Sequence, residues 1–175
     1  MDWEAALVQR ARRGDMRAFE RLYREHIGRV YGLCLRLTRD PAQAEDCAQE
    51  AFINAWRGLE RFETRSSLRT WLHRIAVNVV LAKRRRPSVI VDAPAAMEEA
   101  GEIEWSLDTP VEEREIEAAV GSLPEGARDV LVLCGIYGYS HIEASQMLGV
   151  AEGTCKAQLH RARALLRQRL SMEAG

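Results

Sequence analysis

Residues 140–170 read SHIEASQMLGVAEGTCKAQLHRARALLRQRL, and this stretch decides the fold class. Ser140–Leu148 reads as a helix, Gly149-Val150-Ala151 as a tight turn, and a second helix runs from Glu152 or Gly153 to Leu170. Helix, short glycine-containing turn, helix is the helix-turn-helix pattern. Many structural helix pairs share it, so the second helix has to discriminate. At about 100° per residue, Cys155, Leu159, Ala162, Leu166 and Leu170 fall on one narrow apolar stripe. Lys156, His160, Arg163 and Arg167 form a second stripe roughly 100° round from the first. The apolar stripe packs on its own domain. The basic stripe is either a solvated face or a surface that enters a major groove, with Lys and Arg reaching phosphates or guanine edges.

Moving toward the N-terminus, Ser122-Leu123-Pro124-Glu125 has the form of a capping box. It predicts a helix carrying Val130, Leu131, Leu133, Cys134 and Tyr137 that Gly138 ends, and Glu112–Leu123 predicts a short helix before it. Further back, Pro87, Pro94 and Pro110 together with Asp92, Glu98, Glu99, Glu102 and Glu104 interrupt the apolar periodicity. Residues 88–115 are therefore expected to be a flexible acidic linker.

Before the linker every long segment again repeats its apolar residues at three- and four-residue steps, the helical period. Asp15 is placed to cap a helix with the stripe Phe19, Leu22, Tyr23, Ile27, Val30, Cys34 and Leu37. Asp40-Pro41 restarts the chain, with Asp as N-cap and Pro at the first helical position. The inner face of that helix is Ala44, Cys47 or Ala48, Ala51, Phe52, Ala55 and Leu59, leaving Glu45, Asp46, Gln49 and Glu50 at its outer edge. A third helix starts near Ser66 or Ser67, buries Leu68, Trp71 or Leu72, Ile75 and Val79, and ends in Lys83-Arg84-Arg85-Arg86 before Pro87. The expected fold is all-α. An N-terminal helical bundle over 1–87 is joined by the linker 88–115 to a C-terminal helix-turn-helix domain over 116–175.

Charge distribution refines what the totals suggest. The formal net charge is −1 over 175 residues, which on its face disfavours a nucleic-acid partner. Yet residues 1–87 hold 18 Lys+Arg against 11 Asp+Glu, and residues 88–115 hold one Arg against nine acids. Residues 116–175 hold six of each, with Lys156, Arg161, Arg163, Arg167 and Arg169 in one acid-free run. Two basic surfaces are hidden behind one acidic stretch.

Other classes find little support. The longest uncharged apolar stretches, Ile75–Ala82 and Val130–Tyr139, fall short of a membrane span, and Met1-Asp2-Trp3-Glu4 has neither the basic flank nor the apolar core of a secretory signal. Cys34, Cys47, Cys134 and Cys155 lack paired spacing, which fits a reducing cytosol better than a disulfide scaffold. His26, His73, His141 and His160 offer no metal-ligand spacing. Cys134, His141, Cys155 and His160 could converge on zinc within the last domain, against the plainer reading of core thiols and surface histidines. No phosphate loop, nucleophile elbow or acid–base pair is present, so neither an enzyme nor a cofactor is expected.

Three motifs carry a resemblance. Asp46-Cys47-Ala48-Gln49-Glu50-Ala51-Phe52-Ile53-Asn54-Ala55-Trp56 and Ser67-Leu68-Arg69-Thr70-Trp71-Leu72-His73-Arg74-Ile75-Ala76-Val77-Asn78 resemble the second region of bacterial sigma factors. Gly153-Thr154-Cys155-Lys156-Ala157-Gln158-Leu159-His160-Arg161-Ala162-Arg163 resembles their fourth region. Two such domains joined by a linker resemble the extracytoplasmic-function group, and the resemblance covers nearly the whole chain outside 88–115.

The resemblance implies a transcription initiation factor that binds core RNA polymerase and directs promoter recognition and melting. It implies contacts to the clamp helices of the largest subunit from Asp46, Gln49, Glu50, Phe52, Ile53 and Trp56, and contact to the polymerase flap. The loop Phe62–Ser67 with Trp71, Arg74 and Asn78 matches the part of the family that captures an everted base of the melted strand. Phe62, Ser66 and Ser67 belong to that set, and Lys83, Arg84, Arg85 and Arg86 would hold phosphates. Trp71 is equally readable as a core residue. Thr154, Lys156, Ala157, His160, Arg163 and Arg167 match the positions that read the upstream promoter element. An anti-sigma factor is the implied regulatory partner of a cytoplasmic protein that joins the nucleoid in holoenzyme, is monomeric when free and does not insert in membranes. No added C-terminal domain is expected after Gly175. Departures from the family pattern are Glu143-Ala144-Ser145 where Glu-Ile-Ala is common, and Cys155 and Gln158 where Val and Arg are usual. The promoter sequence read therefore cannot be borrowed from a relative. The competing expectation is a stand-alone regulator that uses only the helix-turn-helix. It would leave the 46–56 motif and the basic end of the third helix unexplained.

Overall fold

The computed structural model describes residues 2–85 and 111–173, leaving the side chains of 111–113 and 173 aside. Among the described residues every regular element is helical. The chain divides into two compact units, Met1–Val91 and Asp92–Gly175.

In the first unit, α1 spans Trp3–Arg12, α2 Met16–Thr38, α3 Pro41–Gly58 and α4 Leu68–Arg85. Aspartates begin the first three. Asp2 accepts from the Glu4 N–H, Asp15 from Arg17 and Ala18, and Asp40 from Ala42 and Gln43, with Pro41 at the first position of α3. The Ala18 N–H and then the Arg10 guanidinium hold the Asp15 carboxyl below its ordinary value. Between α1 and α2 the chain turns at Gly14, whose φ of +91° is open to glycine at little cost.

The core of this unit follows from the helical period. Leu22, Val30, Leu33, Cys34 and Leu37 of α2 meet Ala44, Cys47, Ala48, Ala51 and Ala55 of α3, all buried. The alanine-rich face lets α3 lie close to α2. Helix α4 closes the bundle with Leu68, Leu72, Ala76, Val77, Val79 and Val80, and α1 adds Leu7, Val8 and Ala11. A short 3-10 turn, Leu59–Arg61, leads from α3 into the loop before α4.

In the second unit α5 spans Val111–Gly121, α6 Glu125–Val130, α7 His141–Leu148 and α8 Glu152–Glu173. Helix α6 continues into a π-helical segment, Leu131–Ile136, whose wide hydrogen-bonding is seen where the Tyr137 N–H donates to the Val132 carbonyl at 3.1 Å. Helix α8 is the axis of the unit. Its Cys155, Leu159 and Ala162 are buried against α5, α6, the π segment and α7.

Three expectations are corrected here. Residues 111–115, placed in the linker, belong to α5, so the linker boundary moves back while the helix expected over Glu112–Leu123 is present. The rest of the expected linker, with Arg86, lies outside the described residues. Ser122 does not cap α6, whose N-cap is Pro124, because the Ser122 hydroxyl donates to the Ala119 carbonyl and finishes α5. A capping box does occur at Ser140, which accepts from the Glu143 N–H while the Glu143 carboxylate accepts from the Ser140 N–H. Finally, Leu170 is 39% exposed, because α8 runs on past the elements that pack against it.

Candidate nucleic-acid interface

The helix-turn-helix comes first. Gly149 takes the left-handed conformation at φ +67° that ends α7, and the Val150 N–H closes the turn onto the Ser145 carbonyl. Helix α8 then leaves with Cys155 fully buried, so the residues around the wheel from it are turned outward. Thr154, Lys156, Ala157, His160, Arg163 and Arg167 are all exposed, and the expected basic stripe is present as a continuous surface. Lys156 lies 3.2 Å from Glu152 one turn back. A surface pair of that kind contributes about 0.3–0.5 kcal/mol and yields readily to a phosphate or a base.

The unusual Cys155 has a neighbour. Its sulfur accepts from the Cys134 thiol, and burial pushes the Cys134 thiol up to about 11. Among the described residues no group of three or more His, Cys, Asp or Glu side chains converges as a metal site. Gln158, where the family pattern has Arg, is half-buried beside Gly126, where an added Cβ would stand 3.1 Å from the Gln158 amide nitrogen.

In the first unit the expected base-capture set splits. Arg74 and Asn78 are exposed one turn apart on α4, and Arg85 continues the same face two turns on. Trp71 begins that face but is only half-exposed, lying 4.9 Å from the Phe62 ring. Phe62, expected to meet the melted strand, is 5% exposed. It is the anchor that pins the loop to the bundle, with Trp71 packed over it. Ser67 caps α4, accepting from the Thr70 N–H at 3.1 Å, and the Ser66 hydroxyl donates to the Ser67 carbonyl. Between them and Phe62, Thr64 adopts φ +54°, a strained conformation for a β-branched residue, flanked by a Glu63–Arg65 ion pair. The loop tip is thus held outward on a buried foot.

The basic end of α4 splits as well. Arg84 donates to the Leu37 carbonyl at the end of α2, and Lys83 lies 3.3 Å from Glu50 of α3, while Arg85 is exposed.

On α3, Asp46, Gln49 and Ile53 form an exposed stripe, and Ile53 is 51% exposed, a high value for so apolar a side chain. Phe52, expected on that surface, is buried instead, edge-on to Tyr23 at 4.9 Å. Trp56 is half-buried, edge-on to Phe19. Both belong to the inner side of α3, one residue step away from the outward stripe. A groove of about 350 Å3 runs beside the stripe, lined by Tyr23, Ile27, Tyr31, Glu45, Ala48 and Gln49. The sequence reading did not assign the α2 residues of this wall, Tyr23, Ile27, Gly28 and Tyr31, to a binding surface. Their signal was present, since Tyr23 and Ile27 sit at the edge of the α2 stripe where large side chains are only half covered.

An exposed basic face on the second helix of a helix-turn-helix, with a separate bundle that presents a polar-and-cationic helix face, defines a DNA-binding protein of two modules. Residues 22–88 match the family model for Sigma-70 region 2, and residues 113–166 match that for Sigma-70, region 4. The chain is 35% identical over 170 residues to the RNA polymerase sigma-H factor of Pseudomonas aeruginosa, covering 90% of this chain and 88% of that protein. It is 34% identical over 173 residues to the ECF RNA polymerase sigma-E factor of Escherichia coli, covering 91% and 90%. Among solved structures it resembles the sigma factor RpoE of Bartonella quintana, co-crystallised with the anti-sigma factor NepR. The TM-score there is 0.73 at 25% identity, over 87% of this chain and 96% of that one. It also resembles CnrH in complex with the cytosolic domain of CnrY, with a TM-score of 0.64 at 28% identity over 98% and 99%.

The chain belongs to the extracytoplasmic-function sigma factors of bacterial RNA polymerase. It is an alternative sigma factor for transcription initiation, and its partners are core RNA polymerase and promoter DNA. No helix among the described residues is long and apolar enough to cross a membrane.

Proposed function

We propose that this sigma factor is a non-catalytic, cytoplasmic subunit whose two modules, joined by the acidic segment, read the two promoter elements separately. The observation that carries the reading is the α8 face. Lys156, Ala157 and His160 would meet base edges and Arg163 and Arg167 phosphates, a reading supported by their exposure on the face next to the buried Cys155, Leu159 and Ala162. In the first unit Asn78 and Arg74 supply the donors and acceptor for an everted base, and Ser66 and the loop tip before α4 supply further polar groups for the melted strand. Trp71 offers the exposed part of its ring to that base while its other side rests on Phe62. Arg85 and Arg86 supply cations to the backbone. The Asp46–Gln49–Ile53 stripe and its groove dock on a helical element of the polymerase, an amphipathic helix-in-groove contact. An anti-sigma factor is the regulatory partner, supported by the complexes in which the two structural relatives were solved.

Transcription reconstituted with core polymerase on a cognate promoter tests the division of labour. Lys156→Ala weakens upstream-element recognition by about 1–3 kcal/mol, the value of a good base contact. Asn78→Ala leaves both core binding and upstream recognition in place and lowers the rate of opening, read by permanganate reactivity of unpaired thymines. Normal opening by Asn78→Ala refutes the base-capture role, and unchanged promoter preference by Lys156→Ala refutes the recognition role.

A further inference from the structure

The basic run that ends α4 is not one surface. At about 100° per residue, Arg85 falls on the side of α4 that carries Trp71, Arg74 and Asn78. Lys83 falls on the opposite side, in line with the buried Leu72, Ala76 and Val79. The packing agrees with the wheel. The Lys83 ammonium is 3.3 Å from the Glu50 carboxylate, and both side chains are largely covered, at 28% and 37% exposure. Burial pushes the Cys34 thiol up to about 12 and raises that of Cys47, and Lys83 is a cation that opposes both shifts. Lys83 is therefore turned toward α3, where its partner Glu50 lies. Arg84 reaches the same end of the bundle, donating to the Leu37 carbonyl at 2.7 Å.

We infer that Glu50, Lys83 and Arg84 are positioning residues that fix the end of α4, and that Arg85 is the member of the described run that meets DNA phosphate. The ion pair ties the helix expected to dock on polymerase to the helix expected to hold the melted strand. A shift of α3 on docking is thereby transmitted to the DNA-facing side of α4. The inference rests on the reading of α4 as a DNA surface. It departs from what the family resemblance implies in taking Lys83 and Arg84 out of the DNA contact and Glu50 out of the polymerase contact.

Holoenzyme formed with full-length variants provides the test, with promoter affinity measured across a salt series and opening measured separately. Removing one cation from a DNA phosphate should reduce the slope of log affinity against log salt by about 0.7–0.9. Arg85→Gln is expected to lower the slope by about that amount. Lys83→Gln and Glu50→Gln are expected to keep the slope and core affinity of the parent and to slow opening severalfold. The double variant should be no slower than either single one, and the exchanged pair Glu50→Lys with Lys83→Glu should recover opening. Urea unfolding of the single variants separates the two causes: slowed opening at parental stability supports positioning, and slowing that only follows lost stability overturns it.

A reduced slope in Lys83→Gln would make Lys83 a phosphate contact and overturn the inference. Reduced core affinity in Glu50→Gln would make Glu50 a polymerase contact and overturn it as well. If Arg85→Gln leaves the slope unchanged, the DNA surface on α4 is itself wrong. The Glu50–Lys83 coupling is then judged separately by the double variant.

Discussion

His73 illustrates what a single side chain can commit the molecule to. It is 1% exposed on the inner face of α4, and burial, followed by the nearby charges of Arg69, His26 and Arg29, lowers its pKa to about 4 from the ordinary 6.5. Between those two values the unfolded chain takes up a proton that the folded chain refuses. The stability due to a neutral His73 is therefore complete above pH 6.5 and falls as the pH drops toward 4. The loss should be roughly 2 kcal/mol between about pH 7.5 and about pH 5. Urea unfolding at the two pH values, compared with His73→Leu, measures it; an equal pH dependence in the variant would assign the loss to another group. Phe62 shows the same dependence on surroundings. The family resemblance placed it in the set that meets the melted strand. Whether such a ring faces the core or the strand is decided by its packing against Trp71 of the next helix, which periodicity cannot report.

Elements were readable where local chemistry decides them. Asp15 and Asp40-Pro41 start their helices as the capping rules require, and the α3 stripe lies inside the bundle with Leu22, Val30, Cys34 and Leu37 of the α2 stripe, while Phe19, Tyr23 and Ile27 are half-covered at its edge. Prediction failed where two local solutions compete. Ser122 had the spacing of a capping box, but its hydroxyl was taken by the helix before it rather than the one after. The box that does form, at Ser140 and Glu143, opens the first helix of the recognition motif. The π segment left no periodic mark, because one extra residue in a turn changes only the register of the residues after it. The candidate site was legible in the same measure. The α8 face needed only a helix and one buried side, whereas the split at the end of α4 required knowing that Glu50 of α3 and the end of α2 pack against it. Since Ser140 satisfies an amide that α7 would otherwise leave unpaired, Ser140→Ala should destabilise the second unit by about 1 kcal/mol. A shift in its urea midpoint without a change in the first unit's transition is the expected result. No shift would mean that water replaces the cap at no cost.

At the scale of the whole molecule, charge organises what the net value conceals. Seven excess cations in residues 1–87 and eight excess anions in 88–115 belong to one chain that nearly neutralises itself. A chain with two DNA-reading modules risks binding DNA without polymerase, and a polyanionic segment tethered between them competes with DNA phosphates for the same cations. The competition is intramolecular, so its effective concentration is high and does not depend on how much sigma factor the cell makes. Acids in this segment are therefore expected to disfavour DNA binding by the free protein, and to matter less once polymerase holds the modules on the promoter. Replacing Glu98, Glu99, Glu102 and Glu104 by glutamine should raise the affinity of the free protein for nonspecific duplex, most strongly at low salt, where the Debye length is long. The same variant should show little change as holoenzyme. Equal affinity of variant and parent for duplex at low ionic strength would show that the segment's charge does not screen the two modules, and would leave the α8 and α4 surfaces to be restrained by weak intrinsic affinity alone.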